Sequence, residues 1–118
     1  GDTMSLNTTA TGKVLTAFSG ETENLLNRMN YVKLTKRSVT DRDEFAELLQ
    51  EVRAQRLAYD MEEVTEGLVC VGTPVLAKDG IAICSISING YKERMIRSLD
   101  SIIMRLQDCA RECEKLLQ

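Results

Sequence analysis

Ser85, Ser87 and Asn89 lie two residues apart in the segment IAICSISING (residues 81–90). That spacing puts three side chains on one side of an extended strand. The alternate positions, Ala82, Cys84, Ile86 and Ile88, are all apolar, whereas the serine side begins with Ile81 and Ile83 and then turns polar. Hydroxyls and a carboxamide both donate and accept hydrogen bonds, so the chemistry they offer is neutral recognition of a carboxylate or hydroxyl group. The same pattern also fits a one-sided sheet whose outer face meets water.

Covalent and metal chemistry find less support. The chain has no His, which removes the commonest general base and metal ligand, and no nucleophile–base pair is evident. Its four cysteines, Cys70, Cys84, Cys109 and Cys113, form no CxxC pair. Cys109 and Cys113 stand one helical turn apart and could meet, but all four read most simply as small core residues kept reduced in a cytosol. Glu62, Glu63 and Glu66 resemble a metal cluster, yet acidic loops are usually solvated, and a structural loop is expected here. Lys13 after Gly12 resembles a P-loop fragment without the glycine-rich loop that cradles phosphate. No enzyme activity, metal or other cofactor is expected.

These residues must be positioned by a single domain, since the chain has 118 residues. Hydrophobic residues at 43% and charged residues at 28% are globular proportions. A net charge of −3 argues against this piece binding nucleic acid by itself. No apolar run is long enough to span a bilayer, so no membrane partner is expected.

Asn7, Thr8 and Thr9 are good caps for a first helix carrying Ala10, Val14, Ala17 and Phe18. Gly12 in its first turn marks a place where something approaches the backbone closely. A second helix starts at Ser19 or Thr22 and buries Leu25, Leu26 and Met29. Thr40 caps a third, DRDEFAELLQEVRAQR, with Phe45, Leu48, Leu49 and Val52 at helical spacing. The connector between them, YVKLTKRSV, has room for a short extended piece. LAYDMEEVTEG is extended and then acidic. LVCVGTPVLA and IAICSISIN flank Lys78-Asp79-Gly80, a hairpin signal. Pro74 cannot donate to a ladder, so it marks an edge, a bulge or a strand end. From Tyr91 one long amphipathic helix follows, with Met95, Leu99, Ile102, Ile103, Leu106, Ala110, Cys113 and Leu117 on its apolar face. It is expected to lie over the Ala82–Ile88 side of the sheet.

Three stretches then resemble the effector-binding domain of IclR-type bacterial transcriptional regulators. LNTTATGKVLTAF is similar to that family's Leu-His-x-(Ser/Thr/Ala)-x-x-Gly-Lys helix start, with Asn7 where the family often has His. AYDMEEVTEGLVCVGTPVLAKDG is similar to its Asp-x-Glu-Glu, Gly, Cys and Pro-Val run. SISING is similar to its Ser-x-Ser-Gly strand end, with Asn89 in place of the second Ser.

The resemblance implies an α+β, GAF/profilin-like effector-binding domain, with helices packed on a curved antiparallel sheet. Residues 1–118 are expected to be its later part, with the domain's first elements and a DNA-binding winged helix-turn-helix outside the chain. The implied role is sensing in the cytoplasm: a small carboxylic-acid or sugar-acid effector binds and modulates operator DNA binding through a homodimer or tetramer. Carried over position by position, the effector-binding residues are Ala10, Thr11, Asp60, Leu68, Cys70, Ser87 and Asn89. The strand periodicity agrees, because Leu68 and Cys70 share one parity while Ser87 and Asn89 share another. A helix N-terminus adds free backbone N–H groups and partial positive charge. The alternative is a GAF-like sensory module coupled to a different output domain.

Overall fold

β1 (Ala58–Met61), β2 (Leu68–Leu76) and β3 (Ala82–Tyr91) pair antiparallel in that order in the computed structural model, which describes residues 5–117. β2 is central, with Cys70 opposite both Asp60 on β1 and Asn89 on β3. The hairpin turn closes as its Asp-Gly suggests. Gly80 has φ of +85°, its N–H donates to Ala77 O, and Asp79 accepts from the Ile81 N–H. β1 reaches only to Gly72, so Pro74 sits where β2 has no β1 partner and its missing N–H costs no ladder bond.

A register shift falls at Val75/Leu76: Val75 pairs with Cys84 but Leu76 with Ala82, leaving Ile83 as an extra residue. This corrects the expected face. Ile86 packs with Val69 and Val71, whereas Ala82 crosses to the opposite side of the sheet, among Ala10, Val14 and Phe18.

Each face therefore has its own core. On one, α1 (Ala10–Ala17), α2 (Thr22–Arg28) and α3 (Arg42–Gln55) bring Val14, Ala17, Leu26, Phe45, Leu49 and Val52 together. Phe45 meets Tyr31 edge-on at 5.9 Å. On the other, α4 (Lys92–Arg97) and α5 (Leu99–Leu117) set Met95 and Leu106 against Val69 and Val71. The single closing helix of the periodicity reading is thus two. Ser98, at φ −113° and ψ 19°, is the break, and the apolar spacing runs through it because the second helix restarts one residue on. α5 lies chiefly over β2, so Ile88 and Cys84 remain exposed at the β3 flank.

The caps differ by small steps from expectation. Thr9 caps α1, its Oγ1 accepting from the Gly12 N–H at 2.9 Å. Asp41, not Thr40, caps α3, accepting from Glu44 N–H at 2.9 Å. α2 begins at Thr22, and its cap position, Glu21, makes no side-chain cap bond. Leu26 is its buried residue, with Leu25 and Met29 half-buried. The 31–39 connector contains no strand. It is held instead by Asn7, whose fully buried carboxamide donates to Val32 O and Val39 O and accepts from Val32 N–H.

Candidate functional site

The N-terminus of α1 points across the sheet face that carries Ser85, Ser87 and Asn89. Gly72 permits this, because a Cβ there would lie 3.3 Å from the Ala10 Cβ. Gly12 does meet a close approach, as its place in the first turn suggested. A Cβ on it would come within 2.7 Å of Leu6 Cα and 2.8 Å of Leu6 O, so the closely approaching backbone is the preceding turn of the chain rather than a ligand.

Between α1 and the sheet lies a cavity of about 340 Å3. All seven expected residues line it: Ala10 and Thr11 from α1, Asp60 from β1, Leu68 and Cys70 from β2, and Ser87 and Asn89 from β3. Thr9, Val69 and the loop residues Val64 and Thr65 complete the wall; Thr9 was marked only as a helix cap, and nothing in local sequence pattern marked the other three. Ser85, on the same strand face, is not part of the lining. Its hydroxyl is buried without a hydrogen-bond partner among the described residues.

The first three amides of a helix have no acceptor within it. Thr9 satisfies that of Gly12, which leaves the Ala10 and Thr11 N–H groups at the cavity end of the helix. Asp60 is 8% exposed, and its Oδ1 accepts from the Glu63 N–H at 2.7 Å. Burial holds its carboxyl above the ordinary aspartate value, and the Glu63 amide and Lys13 only partly offset this. Burial likewise pushes the Cys70 thiol up, against a hydrogen bond with Ser87. The lining thus offers neutral donors, one buried carboxyl and an apolar wall at Leu68 and Val64.

Behind Asp60 lies a buried ion pair that the acidic-loop reading missed. Lys13, 1% exposed, donates to Glu63 Oε2 and to Tyr59 O, each at 2.5 Å. Glu63 Oε2 also accepts from Met61 N–H, so the pair occupies backbone positions on the outer edge of β1. Burial raises the Glu63 carboxyl above its ordinary value, with Lys13 opposing. Glu62 joins Arg37 at 3.5 Å and Lys92 at 3.1 Å, while Thr35 and Ser38 donate to the carbonyls of Glu62 and Glu63, which makes this stretch a structural loop. The loop walling the cavity is therefore tethered to the connector and to the start of α4.

The cysteines differ from the core expectation. Cys84 and Cys109 are exposed, Cys70 and Cys113 half-buried, and none forms a disulfide. Among the described residues no group of His, Cys, Asp and Glu could hold a metal ion, and no helix is long and apolar enough to cross a membrane.

Fold and cavity together define an α+β domain with a hollow of small-molecule size that is lined by both apolar and polar groups. The model of the family described as "Bacterial transcriptional regulator IclR C-terminal" matches residues 1–115, and the chain belongs to that family. It is 36% identical over 86 residues to the HTH-type transcriptional regulator KdgR of Escherichia coli, an alignment covering 71% of this chain and 33% of that protein. It is 29% identical over 109 residues to the glycerol operon regulatory protein of Streptomyces coelicolor, covering 90% and 43%. The chain thus spans well under half the length of these relatives, which are transcriptional regulators and not enzymes. Among solved structures, it superimposes on the C-terminal domain of E. coli KdgR with a TM-score of 0.84 at 32% identity, covering 93% of this chain and 69% of that one. The inducer binding domain of an Acinetobacter PobR double mutant, in complex with 3-hydroxybenzoic acid, gives a TM-score of 0.86 at 25% identity, covering 98% and 69%.

Proposed function

We propose that this domain is the sensing part of an IclR-type transcriptional regulator and that its 340 Å3 cavity binds a small hydroxylated or keto carboxylic acid. The observation that carries this reading is the convergence of the α1 amides with Ser87 and Asn89 on one hollow. The helix amides suit the carboxylate, and Ser87, Asn89 and Asp60 suit the hydroxyl or keto oxygens. The 3-hydroxybenzoic acid held by the PobR relative supports the ligand class.

In this reading the domain works in the cytoplasm as part of a longer polypeptide whose winged helix-turn-helix binds operator DNA as a homodimer or tetramer. A ligand shifts such an equilibrium only by binding one arrangement better than the other. The tethered loop supports a route: an acid touching Thr65 bears on a segment that Glu62 ties to Lys92 at the head of α4.

Isothermal titration of the full-length regulator with pyruvate, lactate, gluconate and 3-hydroxybenzoate tests the proposal. Saturable binding of at least one acid is expected, with Ser87→Ala weakening it about tenfold, the loss of one hydrogen bond to a charged or polar ligand. Absence of binding across the panel, or full affinity in the variant, would overturn it.

A further inference from the structure

The cavity presents an anion with an electrostatic problem. Among the described residues lining it there is neither Lys nor Arg, and the only carboxyl is Asp60. The nearby cation, Lys13 on α1, is committed to Glu63 and to Tyr59 O. The other groups that face Asp60 are the Glu63 carboxyl, paired with Lys13 and itself raised in part by the Asp60 charge, the Glu63 and Val64 amides from the following loop, the Cys70 thiol on β2 and the neutral Ser87 and Asn89 of β3. An incoming carboxylate is therefore met by partial charges only: two helix amides, hydroxyls and a carboxamide.

Two carboxylates sharing one buried site do not both stay charged without cost, and a proton taken up by one of them removes the repulsion. A second carboxylate or a phosphate on the ligand finds no further proton acceptor in the lining and no cation to pair with.

Building on the acid-binding reading above, we propose that the cavity selects monocarboxylates against dicarboxylates and phosphate esters, and that Asp60 enforces the choice by taking up a proton as the acid binds. The burial that already holds the Asp60 carboxyl above its ordinary value works in the same direction. The protonated carboxyl then becomes a donor to the ligand as well as an acceptor from the Glu63 amide. No bond is made or broken other than that to the proton, which comes from water.

Calorimetric titration of the full-length protein separates this inference from the reading it rests on. The probes are pairs of one skeleton: gluconate with glucarate, and 3-hydroxybenzoate with isophthalate. Titrations run in two buffers of different ionisation heat and across a pH series. Expected are uptake of up to one proton per bound monocarboxylate, affinity that rises up to about tenfold for each unit the pH falls while Asp60 is ionised in the free protein, and at least tenfold weaker binding of the matched dicarboxylate. Asp60→Asn, whose side-chain oxygen can still accept from the Glu63 amide, is expected to abolish the proton uptake and flatten the pH dependence. Monocarboxylate binding without proton uptake, or a dicarboxylate binding as tightly as its partner, would overturn the selection while leaving acid sensing intact. No binding of either pair to the unaltered protein would remove both.

Discussion

Asp60 is the residue at which stability and recognition pull in opposite directions. Its folded carboxyl titrates above the ordinary value of 3.8, so the folded chain holds that proton more tightly than the unfolded one. The group thus disfavours folding fully at pH above its raised folded value. The penalty fades as the pH falls through that window and is gone below 3.8. Asp60→Asn is therefore expected to be more stable than the unaltered chain at pH 7, with the gain shrinking as the pH falls and absent below 3.8. Thermal melts across pH measure this, and an equal gain at both ends would show that burial of charge is not the cause. Some of this was legible in sequence. Ser87 and Asn89 could be found because a period of two is a local property of a strand. Glu63 and Asn7 could not, because their partners lie 50 and 25 or more residues away. One local sign of the buried pair existed: Lys13 is spaced at three and four residues from Ala10 and Ala17, on the apolar stripe of α1.

At the scale of elements, α1 is short and is held by contacts at its first turn. Gly12 packs on Leu6 backbone and receives the Thr9 cap, which together aim the free amides at the cavity. Gly12→Ala should raise helix propensity by about 1 kcal/mol in isolation, yet its Cβ would stand 2.7 Å from Leu6 Cα. Overpacking against backbone costs about 1–3 kcal/mol and outweighs that gain. Chemical denaturation should show net destabilisation, accompanied by weaker acid binding because the turn before α1 is displaced. Unchanged affinity would separate the helix start from the site. Periodicity recovered α1, α3 and the hairpin for the reason that each is bounded by local caps or turns. It failed at Ser98 because a one-residue interruption leaves the i, i+3/i+4 spacing nearly unbroken. It failed again at Ile83, where an inserted residue reverses which side Ala82 faces without altering composition.

For the molecule as a whole, the Lys13–Glu63 pair links α1, β1 and the cavity loop at a single buried point. Lys13→Met leaves an unpaired buried carboxylate, which costs about 3–5 kcal/mol. Adding Glu63→Leu is expected to recover part of that loss, and a double-mutant cycle on unfolding free energies reads the coupling. Additive losses would mean that the two side chains act separately.

The same pair has a consequence for how the sheet can grow. An outermost strand with open amides and carbonyls invites recruitment of foreign strands. On β1 the ammonium and the carboxylate already fill Tyr59 O and Met61 N–H, so two groups of that border are taken. β3, ten residues long and terminal in the strand order, has one such bond at its first residue, where the Ala82 N–H donates to Phe18 O at 2.9 Å. The longer run of β3 beyond Ala82 is therefore the border that an additional strand would meet with the fewest groups already taken.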